Sequence, residues 1–244
     1  MLRLRDDRPD RFCAFVKIDP LVPDPLARVQ QYVRRGADGL KLYRGHGSRS
    51  GSGPFHSMPL DDARLLPLWA WLERSQLPVM LHVNLKLYGG ELVRVLDAFP
   101  QLRICIPHFG LSKNTNARLA RLVALFARYP NLYSDVSFGW HRYEIAGFES
   151  LAKWRTRSKE LLTRYADRFL FGVGLVLEPS KPEGHALATL RAYRIDAPPR
   201  PAHPETERGP RGCQMSVDSL RVRRKISNRE RRASIIGARG GHSG

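Results

Sequence analysis

The sequence predicts an α/β fold built on a parallel sheet. Three observations lead there. Short apolar runs recur over the first 195 residues, each followed by a stretch with helical spacing of its apolar positions. The runs are nearly continuous in apolar character, as expected of strands covered on both faces. Strand and helix alternate at the spacing of βαβ units.

The elements follow in order. RFCAFVKI (residues 11–18) reads as the first strand, closed by Asp19-Pro20. A helix is expected over 25–35, with Leu26, Val29 and Val33 on one face and Gly36 as its stop. GLKLY (39–43) is the second strand. The Gly/Ser-rich loop RGHGSRSGSGPFHS then leads to a helix over about 61–75. PVMLHV gives a strand at 79–84 and a helix follows at 90–99. RICIPH gives a strand at 103–108, with a helix at 116–129. NLYSDVS (132–137 as a strand) and RFLFGVG (169–174 as a strand) flank a helix at 150–165, and 186–193 forms a last helix.

After residue 195 the character changes. The text becomes Pro-rich and then basic, with eleven Lys/Arg against five Asp/Glu over 196–244. Such a segment cannot bury enough apolar surface to offset its ordering entropy, so disorder is expected there. The expected organisation is an α/β domain at 1–195 and a basic, Pro/Arg/Gly-rich tail at 196–244, whose composition is also that of a shifted reading frame in a GC-rich gene. The +18 net charge of the 244-residue chain invites a nucleic-acid partner. RVRRK and RERRA carry no interleaved aromatic residue and no framing fold, so a basic nucleic-acid-binding protein is the remote alternative.

Cys13, Cys105 and Cys213 show no CxxC spacing, which favours a reducing compartment. MLRLRDDRPD lacks the apolar core of a signal peptide, and no apolar run approaches the ~20 residues that span a bilayer. A cytoplasmic location and no membrane partner are expected.

Two histidines stand out. His82 closes PVMLH and His108 closes ICIPH. In a parallel βα array functional side chains gather at the C-terminal ends of strands, and neutral imidazole is the commonest metal ligand. One such histidine is usually a hydrogen-bonded strand terminus; two in matching positions point to a shared site. In GLKLY, Lys41 and Tyr43 share one strand face, so Lys41 is either a buried cation at the site or a snorkelling side chain at its mouth. Tyr43 and Asn84 are candidate pocket lining. Asp135 and Glu178 read as structural carboxylates, His46 and His56 as solvated loop histidines, and His141 as a weak candidate for the strand mouth.

The pieces RFCAFVKIDP, ADGLKLY, LPVMLHVN, LRICIPHFG, PNLYSDVS and RFLFGVGLVLEP stand in the order found in the amidohydrolase-related family. The chain resembles its aminocarboxymuconate semialdehyde decarboxylase-like branch over about residues 10–193. The resemblance implies a TIM-type (β/α)8 barrel with one or two divalent ions, typically zinc, at its C-terminal mouth. It makes His82 the fifth-strand metal ligand and His108 the sixth; Lys41, as a buried cation, is expected to anchor the substrate or, as in some relatives, to carry a carbamate that bridges metals. There are two departures. No His-x-His pair occurs and the match begins at the family's third strand, so about six βα units are expected. The eighth-strand aspartate is replaced by Gly174, leaving no certain catalytic residue. The resemblance implies metal-dependent hydrolysis, or the related decarboxylation, of a small carbonyl- or carboxylate-bearing substrate. It also admits an inactive fragment. With two ligands the metal is expected to bind weakly, and the open barrel edges invite a homo-oligomer or a completing partner.

Overall fold

The structure, a computed structural model, describes residues 2–10, 12–44, 58–110, 116–138, 141–172 and 184. Six strands form one sheet: β1 (Phe15–Lys17), β2 (Gly39–Arg44), β3 (Val79–Val83), β4 (Ile104–Ile106), β5 (Leu132–Asp135) and β6 (Phe169–Leu170). They lie side by side in chain order and every neighbouring pair is parallel. Among the described residues β1 and β6 are the sheet edges. This is the strand order of a TIM-type barrel, present here as six consecutive strands.

The helices are α1 (Leu2–Asp7), α2 (Pro25–Arg34), α3 (Leu66–Arg74), α4 (Leu85–Ala98), α5 (Asn116–Arg128), α6 (His141–Lys153) and α7 (Arg155–Arg164). Asp24 caps α2 by accepting from the Ala27 N–H at 2.8 Å, and Pro25 takes the first turn, where its missing donor costs nothing. Asn84 does the same for α4, accepting from Lys86 N–H at 3.1 Å.

Several boundaries differ from the sequence expectation. The α4 helix starts at Leu85 rather than 90, because Asn84 caps it and burial of Leu85, Leu92, Val95 and Leu96 carries it through Gly89-Gly90. The expected helix at 150–165 is two helices, which meet at Trp154, where the backbone leaves helical geometry. The first strand is short because Ala14 is held by Asp38: its N–H donates to Asp38 Oδ2 at 3.0 Å and its carbonyl accepts from Asp38 N–H at 2.8 Å. Asp38 also receives two bonds from Arg5, which pins the unexpected α1. The expected last helix at 186–193 and the tail at 196–244 lie outside the described residues. No helix among the described residues is long and apolar enough to cross a membrane.

The two faces of the sheet differ sharply. Leu40, Leu42, Val79, Leu81, Val83, Ile104, Ile106, Leu132 and Phe169 are all at most 2% exposed and join one cluster with the helices, including Trp69, Leu72, Leu92 and Phe126. That burial is the main folding force, since each such side chain contributes roughly 1.5–3 kcal/mol. The opposite face carries Lys17, Lys41, Met80, Cys105 and Tyr133 in one level row, as the strand registers require. None of these five belongs to the aliphatic cluster. Arg44 lies on the helix side and pairs with Glu91 of α4, donating from Nε at 2.8 Å and Nη2 at 2.6 Å. Glu91 also accepts from Leu60 N–H at 2.9 Å.

Candidate functional site

The polar face is richest at the C-terminal ends of the strands. Tyr43 and His82 are register partners on β2 and β3, so their side chains stand together, with ring centroids 5.4 Å apart and stacked. His82 is buried. Its ring meets that of His108 edge-on at 4.9 Å between centroids, so the two imidazoles share one place at one end of the sheet.

His108 arrives there by a route the sequence did not suggest. It does not close a strand. The ladder ends at Ile106, and residues Pro107–Gly110 form a tight left-handed turn with His108 at φ 60° and Phe109 at φ 55°. Pro107 has no N–H to extend the sheet, and the His108 N–H turns instead to Asp135 Oδ1 at 2.7 Å. Left-handed geometry is uncommon for non-glycine residues and costs roughly 1–2 kcal/mol each, so it persists only where the surroundings hold it. Asp135 and the fully buried Phe109 ring supply that hold. Gly110 continues the turn at φ +58°, and a Cβ there would come within 2.5 Å of Leu85 Cδ1.

Asp135 is buried at the end of β5. Its Oδ1 also accepts from the Ser137 N–H at 3.1 Å and the Ser137 hydroxyl at 2.7 Å. Ser137 in turn meets His108 Nδ1 twice, with its hydroxyl at 2.6 Å and its carbonyl at 3.1 Å. A carbonyl only accepts, and the hydroxyl proton is used at Asp135, so Nδ1 carries the proton in this network. When the ring is neutral its lone pair is then on Nε2, the form that can bind a metal or take a proton.

Lys41 lies on the same face, one step below Tyr43, with Nζ 4.9 Å from the Tyr43 ring centre. Burial lowers its pKa to about 8, against the opposing pull of the Asp135 charge. Burial likewise raises the Tyr43 phenol, and it raises the Cys105 thiol, so both stay protonated at neutral pH. Lys17, the register partner of Lys41 on β1, places its Nζ 5.1 Å from the same Tyr43 ring.

His82, His108, Lys41 and Tyr43 are thus brought together. Asn84 is not in that row, since its side chain is committed to capping α4. His141 begins α6, while Gly174, Glu178, His46 and His56 lie outside the described residues. The sequence reading passed over Ser137 and Lys17. The Asp-x-Ser spacing just past a strand end was the available signal for the first, and the alternation Phe15, Lys17 for the second.

A family model described as Amidohydrolase matches residues 1–206. The chain belongs to the amidohydrolase family. No curated protein matches it. Among solved structures, it is similar to a putative 2-pyrone-4,6-dicarboxylic acid hydrolase from Pseudomonas putida, at 23% identity and a TM-score of 0.58 over 80% of this chain and 68% of that one. It is also similar to an uncharacterized TIM-barrel protein from Bordetella bronchiseptica, at 20% identity and a TM-score of 0.52 over 78% and 70%. A probable 2-pyrone-4,6-dicarboxylic acid hydrolase from Acinetobacter baumannii, with citric acid bound, gives 16% and 0.52 over 80% and 71%. At these identities the likeness is one of fold, and it agrees with the TIM-type order of the strands.

Members of the amidohydrolase family usually bind a divalent metal. Among the described residues the imidazoles of His82 and His108, the two side chains that could serve such a metal, meet edge to face. Among them no group of three or more His, Cys, Asp or Glu side chains could hold an ion. Catalytic zinc sites use three protein ligands, so the described residues do not make a complete site.

Proposed function

We propose that this chain acts on a small carboxylate-bearing carbonyl compound as a hydrolase of the amidohydrolase type, gathered around His82, His108, Lys41 and Tyr43. The observation that carries the reading is their convergence on the polar face, at the C-terminal end of a parallel sheet. Hydrolysis needs a group to accept a proton from water and a group to stabilise negative charge on oxygen. His108 Nε2 supplies the first, held in its tautomer by Ser137 and Asp135. The Lys41 ammonium and the Tyr43 phenol supply the second, and they also suit a substrate carboxylate. Decarboxylation of the same compounds is the second reading, favoured by the half-buried cation at Lys41, which can stabilise a developing carbanion. A divalent ion held by His82 and His108 would occupy the same His108 Nε2 lone pair and take the place of this base; with two imidazoles as donors it would bind weakly here and exchange readily.

The test uses the full chain with 2-pyrone-4,6-dicarboxylic acid as probe, following lactone opening and carbon dioxide release separately. Hydrolysis lost in His108→Ala and Lys41→Met supports the first reading. Carbon dioxide release lost in the same variants supports the second. Zn²⁺ binding by equilibrium dialysis is the independent readout: weak binding that disappears in His82→Ala is expected. Stoichiometric zinc surviving a chelator would overturn the two-ligand reading, and unchanged turnover in both variants would overturn the site.

A further inference from the structure

The polar face carries two cations side by side where hydrolysis as proposed calls on one. Lys17 of β1 and Lys41 of β2 are register partners, so both rise from one level of the sheet. Like charges placed opposite one another on neighbouring strands repel. Both are nevertheless drawn to one ring: their Nζ atoms lie 5.1 and 4.9 Å from the centre of Tyr43, whose π system attracts an ammonium. The row that holds them continues through Met80, Cys105 and Tyr133, and so adds no acidic side chain. Asp135 is turned to the His108 N–H and to Ser137. An anion arriving between two such ammoniums offsets their repulsion and gains two attractions at once.

The position of the pair matters as much as its charge. The Tyr43 ring stacks on His82 at 5.4 Å, and His82 meets His108 at 4.9 Å. Lys17 and Lys41 spring from a level two residues earlier, about 6–7 Å nearer the N-terminal ends of the strands. Lys17 is exposed, so a ligand can reach it.

We propose that Lys17 and Lys41 form a carboxylate subsite remote from the imidazoles, and that Lys17 is the residue that selects acids carrying their carboxylate several bonds from the carbonyl that reacts. The proposal rests on the hydrolase reading only in taking the imidazoles as the reacting end. Each ammonium offers three donors and a carboxylate two acceptor oxygens, so both lysines can serve one carboxylate. With the lysines so engaged, the Tyr43 phenol is left to donate to the carbonyl oxygen. A neutral group of the same shape gains neither charge.

The experiment uses the full chain, stripped of metal over a chelating resin, in calorimetric titrations at pH 7. The probes are benzoate and nitrobenzene, which match in shape and differ in charge. Neither has a bond to hydrolyse, so binding is read whether or not the chain turns over a substrate. Benzoate should bind saturably and nitrobenzene far more weakly. Lys17→Gln should weaken benzoate about fivefold, the worth of one ion pair at a sheet edge, and leave nitrobenzene unchanged. Lys17→Arg, which keeps the charge, should hold benzoate affinity within about twofold of the parent. Lys159→Gln removes the same charge from an exposed position on α7 and should change nothing. No saturable benzoate binding would overturn the subsite, and so would equal weakening by Lys17→Gln and Lys159→Gln, which would mark an effect of bulk charge. Benzoate affinity lost in His108→Ala but kept in Lys17→Gln would place the anion at the imidazoles and overturn the remote subsite.

Discussion

Replacing Asp135 by alanine tests the frame that holds His108. One carboxylate oxygen accepts from the His108 N–H at 2.7 Å, the Ser137 N–H at 3.1 Å and the Ser137 hydroxyl at 2.7 Å. Asp135 and Ser137 are 8% and 2% exposed, so water cannot freely take over these bonds. Leaving a buried donor unmade costs about 1–3 kcal/mol. Ser137 can turn its hydroxyl elsewhere, which leaves two orphaned amides and a cost of about 2–6 kcal/mol. The left-handed geometry at His108 and Phe109 adds to this, because strain of roughly 1–2 kcal/mol per residue is then no longer held in place. Asp135→Asn keeps an acceptor oxygen in the same position and loses only the charge, which about halves the strength of such bonds, so about 1–2 kcal/mol is expected. Urea unfolding reads both variants, and nitrogen chemical shifts of the His108 ring read its tautomer. The Ala variant should lose the single Nδ1–H form, whereas the Asn variant should retain it. An Ala variant within 1 kcal/mol of the parent, with the tautomer intact, would refute the frame.

Other perturbations follow from the same contacts. Glu91→Ala leaves the buried Arg44 guanidinium without its carboxylate and should cost about 3–5 kcal/mol in urea unfolding; a loss under 1 kcal/mol would deny the pair its role. Gly39→Ala brings a Cβ within 2.5 Å of the Phe15 ring and 2.7 Å of the Pro78 carbonyl, so about 1–3 kcal/mol should be lost, and Phe15→Ala in the same chain should relieve part of the clash. Lys41 is depressed from 10.5 to about 8, so between those values the unfolded chain holds a proton that the folded chain has released. Its contribution therefore raises stability as pH climbs from about 8 to 10.5 and is flat below, by the sign of the proton difference. Lys41→Met should remove that slope and stabilise the fold at pH 7 by about 2–3 kcal/mol, measured as the difference between the two unfolding curves. A slope unchanged by the substitution would place the titration elsewhere.

The order of elements was legible because it rests on the apolar periodicity that also drives folding. Leu40, Leu42, Val79, Leu81, Ile104 and Ile106 make strands recognisable and then fill the core. Boundaries set by single side chains were harder to read. Asn84 moved the start of α4 by five residues through one cap, and Asp38 shortened β1 by occupying both backbone groups of Ala14. The meeting of His82 with Tyr43 followed from parallel pairing of neighbouring strands. The conformation of His108 did not. Its left-handed turn depends on Asp135, 27 residues away, and local propensity carries no trace of such a partner.

The difference between the two faces of the sheet bears on how such a molecule can diverge. Along each strand, the residues that hold the fold and those that can carry chemistry take turns one by one. Exchanging Lys41 or Met80, which are not fully buried, changes the groups on that face yet leaves the aliphatic cluster its full membership. New specificities are therefore within reach by single steps that the scaffold tolerates. A slip of one residue between strands is the forbidden step, because it would drive Lys41 beneath the helices and turn Leu42 outwards.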